Sequence, residues 1–186
     1  MDSHSYAKAL VEHYETVWAN TGTPVQWERG PRGDLPPEFA ILELPPTSDR
    51  TMWTYATVCM SQLADERLIE LHLFAPQSSP DHVELLTAIA HYHRTEARLD
   101  LGHTVNFGRE WIPGSLCDRG LVSLPYLDGP DLEILDLGEQ IARCLWLIPI
   151  TKWEVDYKKA HGLEALEAEF QKKQFNYLDP YRESVV

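Results

Sequence analysis

Glu70 and His72 stand two residues apart in a stretch, 67–74, that carries Ile69, Leu71 and Leu73 in the alternate positions. A period of two puts both polar groups on one face of a strand. A carboxylate beside an imidazole is the arrangement of general acid–base catalysis, and a small hydrolase or metal enzyme using Glu70, His72 and His103 is one reading of it. A solvated sheet face, or one lying under a helix, is the other. His91 and His93 form the closest histidine pair, but on a helix residues i and i+2 point about 160° apart, so they do not share one metal readily. His-Glu-x-x-His and Gly-x-Ser-x-Gly are both absent. Cys117, beside Asp118 and Arg119, is either a reactive loop thiol or a surface thiol without a role. Asp128, Asp131, Glu133 and Asp136 lack the register of a calcium loop and read as an acidic hairpin, a reasonable contact for a basic partner. Trp111, in an irregular segment, is a candidate aromatic anchor at such a contact, set against ordinary burial. No metal and no cofactor is expected.

The elements that must position these groups follow from periodicity and punctuation. A first helix capped by Ser3 runs to about Ala19, with Tyr6, Leu10, Tyr14 and Val17 near one face. Thr21-Gly-Thr-Pro24 ends it, and the glycines and prolines of 28–37 make a loop. Gly30-Pro-Arg-Gly33 lacks the trailing Lys-Ser or Lys-Thr of a phosphate-binding loop. Strands are predicted over 39–44, 53–60 and 67–74, the last two joined by 61–66 and so antiparallel. Ser79 caps and Pro80 starts a helix to about Arg98, whose stripe is Leu85, Leu86 and Ile89 with Tyr92 or His93. A short strand over 102–107 precedes an irregular segment, 109–120. Strands over 121–127 and 132–137 flank the turn Asp128-Gly-Pro-Asp131. The tail, 177–184, is too polar and proline-broken to be regular.

The most specific pattern lies at 144–170. An apolar run, 145–150, reads as a buried strand that ends at Pro149 or lies at an edge there, because proline has no amide hydrogen. Thr151 and Glu154 form a capping box for a helix starting near Lys152. Trp153, Tyr157 and Ala160 share one face of it, with Glu154 and Lys158 paired outside. Gly162 closes this helix, and a second follows with Leu163, Leu166 and Phe170 on its apolar face. Helix, three strands, helix, several strands, two helices is an α+β order: a mixed, largely antiparallel sheet flanked by helices in one domain over 1–186, with 1–50 its least defined part.

A chain of 186 residues can bury one substantial core. It carries 16 basic against 29 acidic residues, a net charge of −13. That field repels nucleic acid and anionic membranes, and it steers basic partners inward. It also simply favours solubility. No apolar run approaches a membrane span, and no basic-then-apolar leader opens the chain. Three cysteines with no close pair fit a reducing cytoplasm better than a disulfide framework.

The pieces Tyr55-Ala-Thr-Val-Cys-Met-Ser61, Glu70-Leu71 and Gly102-His-Thr104 resemble the Suppressor-of-Fused family. So do Leu147-Ile-Pro-Ile-Thr151 with Glu154, Gly162 before Leu166, and the ending with Arg182 and Ser184. The likeness runs from about residue 50 to the C-terminus. It departs at Cys59, where the family pattern has glycine. The resemblance implies a mixed sheet flanked by helices and a protein that binds other proteins. Animal members repress Hedgehog signalling by holding a transcription factor. Short bacterial members are similar to immunity proteins of polymorphic toxin systems, and this chain has the length of one such domain. The expectation is a non-enzymatic cytoplasmic protein that occludes a basic toxin domain, with a regulatory scaffold as a further alternative.

Overall fold

In the computed structural model, which describes residues 1–186 apart from Pro31, the alternating segments join one open sheet. The chain runs α1 (Ser3–Trp18), β1 (Thr23–Val25), β2 (Ala40–Leu44), β3 (Trp53–Val58), β4 (Leu68–Ala75) and α2 (Pro80–Thr95). It continues through β5 (Thr104–Asn106), β6 (Cys117–Ser123), the single turn α3 (Pro130–Glu133), β7 (Ile134–Asp136), β8 (Ile141–Thr151), α4 (Lys152–His161) and α5 (Leu163–Lys173). The eight strands lie in the order β1-β2-β3-β4-β8-β6-β5, with β7 also paired to β8. The ladder between β4 and β8 is parallel. The others are antiparallel.

Strand alternation decides the layers. Ile69, Leu71 and Leu73 of β4 pack with Leu85, Leu86 and Ile89 of α2 on one face of the sheet. Leu68 turns to the other face, against Tyr6, Leu10, Tyr14 and Trp18 of α1. Farther along that face Phe74 and Trp146 meet Leu166 and Phe170 of α5. Helices on both faces thus complete the predicted α+β sandwich. Each fully buried leucine or phenylalanine here adds about 1.5–3 kcal/mol over leaving it exposed.

Several boundaries differ from expectation, each for a physical reason. Asp2, not Ser3, caps α1, accepting from the Ser5 amide at 2.8 Å. Trp18 rather than Val17 completes its buried stripe. After the left-handed cap at Ala19, Thr23–Val25 forms edge strand β1. Helix α2 stops at Thr95, and His93, not Tyr92, is the residue it buries. The segment 109–120 is not irregular throughout, because β6 begins at Cys117. Nor do 121–127 and 132–137 form a hairpin with each other. Strands β6 and β7 lie end to end along β8, pairing with its residues 146–151 and 141–143.

Pro149 does not end its strand. The β4 ladder stops at His72–Trp146, so β8 beyond that point pairs with β6 alone. Pro149 sits opposite Gly120, and its carbonyl accepts from Arg182 Nη2 at 3.1 Å. The N and C=O of a strand residue point the same way, so the missing amide falls on the side that β4 has left. Gly120 is required opposite: a Cβ there would come within 2.5 Å of Leu147 Cδ1 and 2.8 Å of the Phe107 ring.

The capping box forms as read, with Thr151 N donating to Glu154 Oε2 at 2.8 Å and Glu154 N to Thr151 Oγ1 at 3.2 Å. Glu154, however, does not face outward to Lys158. It is fully buried and grips Arg182, whose Nη1 and Nη2 donate to its two oxygens at 2.6 and 2.8 Å. Val185 N adds a bond at 3.1 Å. Consequently α4 buries Glu154 and Val155, while Trp153 is 57% exposed, the reverse of the predicted face. Gly162 (φ +93) ends α4 as expected and leads directly into α5.

Candidate functional site

Glu70 and His72 do share a strand face, and α1 covers it. Neither has any exposed surface. The Glu70 carboxylate accepts from Tyr6 Oη (3.0 Å), Thr57 Oγ1 (2.6 Å), Met60 N (3.0 Å) and Ser61 N (3.2 Å). Burial pushes its pKa up to about 8, although these four bonds oppose the rise. It therefore ties α1, β3 and the loop after β3 to β4. That loop turns at Cys59, which adopts φ +62, a left-handed conformation that glycine takes without strain. The turn points the Met60 and Ser61 amides at the carboxylate.

His72 lies between Trp18, edge-on at 5.6 Å between ring centroids, and Phe74 at 5.1 Å. Burial, with Arg50 adding to it, lowers its pKa to about 3, so the ring is neutral at physiological pH. His103 is exposed and precedes β5 at the far edge of the sheet. The acid–base constellation is thus not assembled: two members are sealed in the core and the third is elsewhere. Among the described residues, no group of three His, Cys, Asp or Glu is placed to hold a metal ion. His91 faces Asp34 at 3.1 Å, whereas His93 is buried, so the pair diverges as its spacing requires. Cys117 is no loop thiol. It is fully buried in β6, and burial raises its pKa.

The residues expected to meet a partner separate into two sets. Trp111 is 3% exposed and packs in the core beneath α2, where His82 approaches it at 6.3 Å; it is not a surface anchor. Asp128 is turned inward against Arg50, Nη1 to Oδ1 at 2.6 Å. The Arg50 guanidinium lies in turn over the rings of Trp18 (5.6 Å) and Phe74 (5.2 Å). Glu133 holds Arg143 Nε at 3.0 Å. Asp131 and Asp136 remain exposed, Asp136 also accepting from Gly138 N at 2.8 Å in the β7–β8 turn.

Beside Asp136 stand apolar groups that the sequence pattern did not single out. Ile134 is 39% and Ile141 53% exposed. The register places Ile134 opposite Arg143 and Asp136 opposite Ile141, so all four share one face of the hairpin, while Leu135 and Ala142 face the α1 core. Alternation alone reads 132–137 as an ordinary strand. What it does not tell is that the α1 core covers only the Leu135 side and that the Ile134 side stays exposed.

A model of the Suppressor of fused protein (SUFU) family matches residues 36–183. No curated protein matches the sequence. Among solved structures, a SUFU homolog from Neisseria gonorrhoeae FA 1090 is 29% identical, with a TM-score of 0.88 over 98% of this chain and 98% of that one. A chain of the Sufu–Fu complex is 14% identical, TM-score 0.70, over 97% of this chain and 92% of its own. Drosophila Suppressor of Fused is 17% identical, TM-score 0.67, over 97% of this chain and 51% of its own, so this chain spans about half of that protein. The first match includes the N-terminal segment that the sequence resemblance did not reach. The family model covers most of the chain, and the chain belongs to the Suppressor of fused family.

Proposed function

We propose that the protein works by binding another protein, without turnover, and that its partner is a basic toxin domain that it neutralises by occlusion. The observation that carries this reading is the open face of the β7–β8 hairpin, where Asp136 stands beside exposed Ile134 and Ile141, with Asp131 exposed in the preceding turn α3, on a chain of net charge −13. Apolar side chains supply contact area, and a ring of carboxylates steers and orients a cationic partner. Family membership supports a binding role, since one relative was crystallised as a Sufu–Fu complex. The acid–base alternative finds no opening, because Glu70 and His72 have no surface that a substrate could reach.

Co-expression with a toxin domain encoded beside the gene tests the proposal. Rescue of growth, with a stable complex on co-purification, is the expected result. The double reversal D131K/D136K abolishes rescue while leaving the fold intact by circular dichroism. A complex that forms without rescue favours the scaffold reading, and absence of any complex with adjacent toxins overturns the proposal.

A further inference from the structure

A depression of about 610 Å³ opens where the loop after α2 meets the start of β4, and its wall includes Arg67, His93, Arg98, Asp100 and His103. The hydrogen-bond inventory of that wall is unbalanced. Asp100 is engaged twice, by the Leu101 amide at 2.8 Å and by Arg67. Asp65, also in the wall, accepts from the Gln62 amide at 2.8 Å and pairs with Arg94. Both aspartates are therefore committed internally.

The donors are not. His93 is 3% exposed, and its Nδ1 accepts from the Leu99 amide at 2.9 Å. That bond requires Nδ1 to be unprotonated, so the ring proton sits on Nε2. Nε2 is buried and has no partner among the described residues. Arg98 makes only long contacts, 3.4 Å to the His93 carbonyl and 3.5 Å to Asp65 Oδ1, and its side chain is 56% exposed. The imidazole of His103 has no partner among the described residues. A buried donor left unmatched costs free energy that an acceptor recovers. A planar guanidinium beside it favours a planar, two-oxygen acceptor.

We propose that this depression is a carboxylate-binding site, in which Arg98 and His103 hold a ligand's carboxylate at the buried His93 wall. Glu66 in the lining, with Asp65 and Asp100, opposes an anion and sets a limit on how tightly it is held, and Glu66 is the one of the three with no basic partner among the described residues. The site stands apart from the toxin-binding reading: a free organic acid fills it as well as an acidic side chain does.

The test follows the ring and guanidinium nitrogens of the ¹⁵N-labelled full chain by NMR. Citrate serves as the free acid, N-acetylglutamate amide as the protein-like carboxylate, and sodium chloride as the screening control. Saturable shifts at His93 Nε2 and Arg98 Nε with either organic probe are expected, and the tighter probe identifies the source of the natural carboxylate. The double variant R98A/H103A, altered only at exposed positions, weakens that binding at least about tenfold. E66Q tightens it. Linear, unsaturated shifts, equal shifts with chloride, or unchanged affinity in R98A/H103A would each overturn the proposal.

Discussion

Two buried carboxylates, Glu70 and Glu154, do most of the polar organising, and their chemistry explains what substitution should do. Glu154 receives Arg182 across 28 residues of chain, and both side chains are almost wholly buried. Burial alone would lower the Arg182 pKa; the Glu154 carboxylate outweighs it and holds it above the ordinary value. Removing one member strands the other's charge, so Arg182→Ala should cost about 3–5 kcal/mol in urea unfolding. A loss under 1 kcal/mol would mean that the pair is solvated. Cys59 gives a finer test. Its φ of +62 suits glycine, so Cys59→Gly should change stability by less than about 1 kcal/mol, whereas branched Cys59→Val should be clearly destabilising. The Thr151–Glu154 cap was legible because its four residues contain both partners. The Arg182 grip was not, because no local rule links residues 154 and 182. The same limit hid the inward turn of Asp128, whose Arg50 partner lies 78 positions earlier.

At the scale of elements, periodicity revealed the strands and concealed their neighbours. The alternation of β4 is plain in the sequence, but it says which residues share a face and not what covers it. Glu70 and His72 read equally well as an active pair or a covered face, and α1 decides for the second. Pro149 was read as ending its strand or lying at an edge there, and the second holds: one side of β8 has lost its partner by that point, which depends on where β4 stops. Its opposite number, Gly120, carries a sharp expectation. In Gly120→Ala the new methyl group meets Leu147 and Phe107 at under 3 Å, so the variant should lose about 1–3 kcal/mol, read as a lowered melting temperature. Of the candidate interface, the acidic residues were visible in the sequence. The two isoleucines were not, since their exposure depends on the open second face of β7.

For the whole molecule, burial of ionisable groups shapes the dependence of stability on pH. Burial lowers the pKa of His72 to about 3 and those of His82 and His93 to about 4, against 6.5 for the free side chain. The unfolded chain then binds more protons than the native one, so these three destabilise the fold as pH falls from 6.5 toward 4. Glu70 acts in the opposite sense. Its native pKa of about 8 lies above the free value of 4.5, so its contribution is full below 4.5 and is lost as pH rises to 8. Three groups against one between pH 4.5 and 6.5 predict net acid destabilisation, with a decline again toward pH 8. Urea midpoints across pH 4–8.5 should peak near 6.5, and E70Q should flatten the alkaline side. Charge at the same scale predicts that capture of a basic partner slows as salt is added, measurable by stopped-flow. The sheet itself is built from two meanders, β1 to β4 and β5 with β6 to β8, and a single parallel ladder joins them. That seam pairs Leu68 with Ala142, residues far apart along the polypeptide, whereas most other ladders close between near neighbours. Sequence separation alone makes this seam the last ladder expected to form, and hydrogen exchange checks it: β4–β8 amides that exchange no faster than those within each half would overturn the expectation.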